Sequence, residues 1–95
     1  MVYQNHPIKK AVALKYKAYQ DNAPIVVAKG ESLIAEKIIE TAKKHNIPIH
    51  EDIDLVALLS KVDIMEEIPP ELYKVVAEVL SYLYALNNKM KLARS

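Results

Sequence analysis

The stretch Ala23-Pro-Ile-Val-Val-Ala-Lys-Gly30 decides the fold of this 95-residue chain. Its residues 24–28 form a short continuous apolar run rich in β-branched side chains, which is typical of a central strand covered on both faces. Val27 lies in the middle of the run, so we expect it in the interior of a sheet. Gly30 is the only glycine in the chain, and we expect it to supply a special backbone angle for the turn that ends the strand.

The residues that follow this run predict a strand-helix-strand crossover. Apolar residues recur at helical spacing on one side of residues 32–45, and charged residues occupy the other side. Ile47-Pro-Ile49 can then form a short strand, and such a crossover is right-handed and places two parallel strands side by side. Residues 11–16 alternate in the manner of a half-buried strand. We therefore predict an α/β fold, a small mixed sheet flanked by helices, with one right-handed strand-helix-strand crossover.

The last predicted helix begins near Pro70 and carries two apolar stripes. A proline fits the first helical turn because the N–H that it lacks has no partner there. The first stripe must face the sheet and consists of Leu72, Val76, Val79, Leu83 and Leu86. The second stripe lies about 100° around the helix axis and consists of Tyr73, Ala77, Leu80 and Tyr84. This second stripe has two interpretations. Either another element of the fold covers it as part of the core, or it is a surface that binds a partner.

Composition is typical of a soluble single-domain protein. Hydrophobic residues make up 52% of the chain and charged residues 26%, while the formal net charge of +1 creates no field that attracts nucleic acid or an anionic membrane. Cysteine is absent, which excludes disulfides and thiol catalysis, and no apolar run has the length of a membrane span. We predict one domain over residues 1–88, followed by a disordered tail over residues 89–95.

Two long motifs in this order resemble the C-terminal cytoplasmic domain of the FlhB family of flagellar and type III export switch proteins. The first is the strand motif from Ala23 to Gly30, and the second is Glu67-Ile-Pro-Pro-Glu-Leu-Tyr-Lys-Val-Val-Ala-Glu-Val-Leu-Ser-Tyr-Leu-Tyr84. The resemblance runs from about residue 6 to about residue 86. It implies a stand-alone soluble homologue of that domain, cytoplasmic and recruited to the membrane export gate, that works in flagellar protein export.

The resemblance places the family's self-cleaving loop, Asn-Pro-Thr-His, at His6, Pro7, Ile8 and Lys9. In the family the Asn side-chain amide attacks its own main-chain carbonyl, and an imidazole at that position cannot perform this reaction. Asn5 would come opposite the family Asn if one residue were inserted, but its next residue would then be His6 rather than proline. Because catalytic geometry tolerates little displacement, we predict that the chain does not cleave itself and is not an enzyme.

Ala23 and Pro24 precede the predicted strand at a surface turn, beside the second stripe. The family's task of handling export substrates favours a shallow groove at this place, suited to an extended or helical peptide. We predict that the groove binds flagellar export apparatus proteins or export substrates, with no nucleic acid as partner and no insertion of this chain into the membrane. The predicted groove residues are Ala23, Pro24, Tyr73, Ala77, Leu80 and Tyr84.

Two other segments suggest alternative chemistry. His50-Glu51-Asp52-Ile53-Asp54 has the residue types of a metal site or of a small hydrolase, but a single imidazole favours a polar loop with Asp54 as a helix N-cap. Lys29-Gly30 lies where a strand meets a helix, yet one glycine cannot form a phosphate-binding backbone cradle. We predict no metal and no cofactor. The remaining alternative is a regulatory protein-binding module outside the flagellum.

Overall fold

The structure, a computed structural model, describes residues 1–4, 8–17 and 21–94, with the backbone alone described for residues 84 and 86–94. The elements are β1 (Val2–Gln4), β2 (Lys10–Lys15), β3 (Ile25–Glu31), α1 (Leu33–Lys44), β4 (His50–Glu51), α2 (Ile53–Leu59) and α3 (Tyr73–Arg94), with a 3-10 turn at Pro70–Leu72 leading into α3. The helical backbone of α3 continues past residue 88, and the predicted domain boundary there stays a prediction. Within these ranges, no helix has both the length and the apolarity that a membrane crossing requires.

The four strands form one mixed sheet in the order β3-β2-β1-β4, which confirms the predicted α/β fold. The β1–β2 and β2–β3 pairs are antiparallel, and the β1–β4 pair is parallel. The crossover from β3 through α1 therefore ends in a strand parallel to β3, but the two strands lie at opposite edges of the sheet. The prediction that they lie side by side is wrong, because β1 and β2 separate them. The right hand of the crossover stays a prediction.

The strand predicted at residues 47–49 forms instead at His50–Glu51. Pro48 has no N–H to donate to a ladder, which disfavours pairing before this point. Two hydrogen bonds join β4 to the N-terminal strand. The His50 N–H donates to the Met1 carbonyl at 2.8 Å, and the Asp52 N–H donates to the Tyr3 carbonyl at 2.8 Å. β4 is therefore positioned by its pairing with β1, a three-residue strand that no sequence pattern predicted.

β3 is an edge strand, so its predicted central position is wrong. Residues 65–68 cover the outer edge: the Val26 N–H donates to the Glu66 carbonyl at 3.1 Å, and the Ile68 N–H donates to the Pro24 carbonyl at 2.9 Å. This segment pairs with β3 through one isolated bridge, between Ile25 and Glu67, without being a strand itself. Because residues 65–68 cover its outer edge, β3 can have the apolar composition of an interior strand although it lies at the edge of the sheet.

A β-bulge in β3 corrects the expectation for Val27. Ala13 pairs with Ala28, and the next residue of β2, Leu14, pairs with Val26, so Val27 has no partner on β2. Val26 is fully buried, whereas Val27 is only half-buried. The residue in the sheet interior is therefore Val26.

Helices cover both faces of the sheet. On one face, α2 and α3 bury the larger core, and on the other face α1 packs Ala35 and Ile39 against Ala11. Leu72, Val76 and Leu83 of the first stripe are buried and Val79 packs against the larger core, as predicted for these four residues. The side chain of Leu86, the fifth, lies outside the described part of the chain. The larger core consists of Val2, Val12, Ala23, Val26, Leu55, Val56, Leu59, Ile68, Leu72 and Val76.

Gly30 has no positive φ angle, so the expected role in backbone geometry is wrong. Its role is to permit close packing, because a Cβ added to Gly30 would lie 2.8 Å from Ile34 Cβ at the start of α1. The positive φ of this turn occurs at Ser32, with φ 54°. Gly30 therefore sets the distance between β3 and the first turn of α1.

Candidate functional site

A shallow, mainly apolar cavity lies between the β2–β3 connection and the first half of α3. Its volume is about 180 Å³. It contains five of the six residues predicted for the groove, together with two that were not predicted. The lining residues are Tyr16, Asn22, Ala23, Pro24, Tyr73, Ala77 and Leu80. The side chain of Tyr84, the sixth predicted residue, lies outside the described part of the chain.

Backbone and core contacts fix the β-side wall of this cavity. Ala23 is 2% exposed and belongs to the larger core, and the carbonyl of Pro24 accepts the hydrogen bond from Ile68. Tyr16 follows the end of β2 and continues the alternation of Val12 and Leu14, which contact the same core. That alternation was the signal that could have identified Tyr16, whereas Asn22 is marked only by its position next to Ala23.

The residues of α3 that line the cavity show how much of the second stripe is core and how much is surface. Leu80 packs against the larger core and also lines the cavity. Tyr73 is 43% exposed, and Ala77 is exposed as well. The depression forms because alanine at residue 77 leaves open space between Tyr73 and Leu80. The described part of the stripe is therefore divided: Leu80 is shared between the core and the cavity, whereas Tyr73 and Ala77 lie on the surface.

The described lining residues combine apolar surface with a few uncharged polar groups. The polar groups are two phenol hydroxyls and the Asn22 amide, with no carboxylate, imidazole, thiol or ammonium group among the lining residues. A volume of about 180 Å³ is below the roughly 300–1,000 Å³ of typical small-molecule sites. It equals the space of about six water molecules, which is enough for one large side chain. The cavity can therefore hold an apolar anchor while the polar groups contact a peptide backbone.

The predicted degenerate cleavage loop connects β1 to β2, and its residues His6 and Pro7 lie outside the described part of the chain, as does Asn5. The following residues are tied to the fold. The carbonyl of Ile8 accepts a hydrogen bond from Gln4 Nε2 at 2.9 Å.

Lys9 is held at two points. Its carbonyl accepts from the Ser32 N–H at 2.8 Å, and its Nζ lies 3.8 Å from Glu36 Oε1. These contacts attach the connection both to β1 and to the start of α1. Loss of self-cleavage stays a prediction.

The polar segment after β4 serves the fold. Asp52, rather than Asp54, is the N-cap of α2, because its Oδ1 accepts from the Leu55 N–H at 3.0 Å. His50 Nε2 lies 3.6 Å from Asp52 Oδ2. A hydrogen bond to the Glu51 carboxylate, together with partial desolvation and the negative charge of Glu51, raises the pKa of Tyr3. Across residues 1–4, 8–17 and 21–94, no three acidic, His or Cys side chains are grouped to hold a metal ion.

Lys29 also has a structural role. Its Nζ donates to the carbonyl of Ser60 at 3.0 Å and to the carbonyl of Val62 at 2.9 Å. The Ser60 carbonyl is at the C-cap of α2, where carbonyls have no partner within the helix, and the Val62 carbonyl follows two residues later. Lys29 therefore joins β3 to α2, and two of its three donors are used within the protein.

The profile of the FlhB HrpN YscU SpaS Family matches residues 3–83. YlqH of Bacillus subtilis is 45% identical over 85 residues, which cover 90% of this chain and 91% of YlqH. The flagellar biosynthetic protein FlhB of Aquifex aeolicus is 42% identical over 86 residues, but these cover 25% of that protein. The crystal structure of the cytoplasmic domain of FlhB from Shewanella putrefaciens matches with a TM-score of 0.83 and 34% identity, over 95% of this chain and 74% of that one.

The chain thus spans most of YlqH and about a quarter of the Aquifex FlhB that it matches. The similarity to FlhB extends over sequence and fold together, and it confirms the resemblance inferred from the two motifs. Because the family profile covers most of its length, this chain belongs to the FlhB HrpN YscU SpaS family.

Proposed function

We propose that this protein acts in flagellar or type III protein export by binding export substrates or export-gate proteins in the groove beside α3. Two kinds of support lead to this function. Full-length relatives are flagellar biosynthetic proteins by name, and the groove lining is suited to an apolar anchor. The observation that carries the proposal is that five predicted groove residues, drawn from two segments about fifty residues apart, line one cavity. The protein acts in the cytoplasm and is recruited to the membrane export gate.

Binding in this groove is weak and reversible. Full burial of one large apolar side chain contributes about 1.5–3 kcal/mol, which is less than the roughly 4 kcal/mol of a millimolar complex. Contacts of the peptide backbone with Asn22 and the tyrosine hydroxyls add to this anchor. An export substrate must be released after it is recognised, and a small anchor in a shallow cavity is suited to that.

The groove is tested best at Ala77, since Leu80 also contributes to the core. Ala77→Gln places a larger polar side chain in the cavity, and glutamine is a good helix former, so the fold should be retained. We expect binding of export substrates and gate proteins from the same organism to fall by about tenfold or more, because interface energy is concentrated in a few central residues.

Ala85→Gln is the matched control, because Ala85 is an exposed alanine of the same helix outside the cavity. Its melting temperature and binding should equal those of the parent. Equal binding by the two variants would exclude the groove. If Ala77→Gln abolishes binding only to proteins unconnected with export, a regulatory module outside the flagellum replaces this function.

The absence of self-cleavage is part of the proposal, and it is supported by His6 in place of the family Asn. We expect one intact mass under denaturing conditions after prolonged incubation at mildly alkaline pH. A fragment that begins at His6 or Pro7 would contradict this. The triple variant His6→Asn, Ile8→Thr, Lys9→His restores the family loop and serves as the control for cleavage.

A further inference from the structure

An acidic segment, defined as Asp63, Glu66, Glu67 and Glu71, borders the groove. Backbone contacts hold it there, since the carbonyl of Glu66 accepts from the Val26 N–H at 3.1 Å and Glu67 forms a bridge with Ile25. Both contacts lie directly after Pro24, which lines the cavity. Glu71 lies at the other end, two residues before Tyr73. Glu67 and Glu71 therefore lie near the two walls of the groove, and Glu66 and Asp63 continue the acidic segment along the outer edge of β3.

This segment is strongly negative although the whole chain has a formal net charge of +1. Residues 63–72 contain four carboxylates and no Lys or Arg. All four side chains belong to exposed residues, and the ion pairs of the described residues, Lys9–Glu36, Lys10–Glu31 and His50–Asp52, include none of them. Two lysines, Lys17 and Lys74, are sequence neighbours of the lining tyrosines. The four carboxylates of the acidic segment outnumber these two positive charges.

We propose that the groove binds a polypeptide segment that carries an apolar anchor residue with Lys or Arg residues beside it. This inference rests on the proposed function and specifies the chemistry of the partner. The anchor enters the cavity, and the basic residues lie along the acidic segment. Complementary charges increase the rate of encounter and exclude partners whose flanks are acidic. Because the carboxylates are exposed, each ion pair adds little and is screened by salt, so charge contributes selectivity.

A random twelve-residue peptide library displayed on phage tests this chemistry. Peptides selected on the parent protein at low salt should contain an apolar residue next to Lys or Arg. Their affinity should fall about fivefold on Glu67→Lys, and by a similar factor in 0.5 M NaCl. Glu40→Lys is the matched control, because it makes the same change of net charge at an exposed position on α1, across the sheet from α3. We expect its affinity to equal that of the parent within twofold.

The outcomes separate this inference from the function on which it rests. If the affinity of the selected peptides falls with Ala77→Gln but is unchanged by Glu67→Lys and by salt, the proposal of a basic partner is wrong and the groove remains supported. Enrichment of acidic peptides would overturn the basic partner as well. A selection whose peptides bind Ala77→Gln as well as the parent, or that yields no binding peptide, would overturn both the groove and the basic partner.

Discussion

Replacing Gly30 with alanine should destabilise the protein by about 1–2 kcal/mol. The added Cβ would lie 2.8 Å from Ile34 Cβ and closer still to Ile34 Cγ2. Ile34 is in the first turn of α1, where a β-branched side chain has one strongly preferred χ1 rotamer and cannot turn away. Overpacking of this kind costs about 1–3 kcal/mol, and the lower freedom of the unfolded alanine chain offsets about 0.4–1 kcal/mol. The midpoints of the two ranges, about 2 and about 0.7 kcal/mol, differ by about 1.3 kcal/mol, which is the predicted loss.

Urea unfolding followed by far-UV circular dichroism measures this loss. The set of proteins is the parent, Gly30→Ala, Ile34→Ala and the double variant. Ile34 is 59% exposed, so Ile34→Ala alone should cost little. In the double variant it should restore part of the loss, because it removes the closest contact, with Ile34 Cγ2, while the 2.8 Å approach to Cβ remains. Two results would refute the reasoning. One is a midpoint for Gly30→Ala at or above that of the parent, and the other is additivity of the two changes.

Three further predictions concern stability and titration. Val26→Ala should destabilise the protein by about 2 kcal/mol in urea unfolding, and Val27→Ala by less; the reverse order would contradict the bulge. Met65 has a φ of 71° and is 68% exposed, so Met65→Gly should raise the melting temperature by a few degrees; a decrease would show that this strain is absent. The raised pKa of Tyr3 means that its hydrogen bond to Glu51 stabilises the fold below the unfolded pKa of about 10 and loses this effect as pH rises through the folded pKa. Glu51→Gln should lower the Tyr3 pKa in an NMR titration, and an unchanged pKa would exclude that hydrogen bond as its cause.

The elements with long periodic patterns were predictable. Residues 32–45 were predicted as a helix and α1 spans Leu33–Lys44, because apolar spacing over three turns is a strong local signal. β1 was not predicted because three residues carry no readable period, and its position depends on partners six to ten and about fifty residues away. The sheet order could not be read from the sequence for the same reason.

The residues of the candidate site were predictable where they belong to the strand motif or to the second apolar stripe of the last helix. Ala77 and Leu80 were identified because one helix needs only one stripe to cover a sheet, and Ala23 and Pro24 because they adjoin the strand motif. Tyr16 was missed although it continues the alternation of Val12 and Leu14, and Asn22 was missed because only its position next to Ala23 marks it. The edge position of β3 was missed because residues 65–68 bury its outer edge without having the pattern of a strand.

The interior position of β1 determines how a break between β1 and β2 would affect the molecule. β1 pairs with a strand on each side, and Val2 is 1% exposed within the core. A severed connection would therefore leave a two-chain assembly, held by strand pairing and apolar contacts, with an unchanged size in gel filtration. Its unfolding would release a short peptide, so its stability and its refolding rate would both depend on protein concentration. An intact chain keeps β1 at a fixed effective concentration and folds independently of dilution.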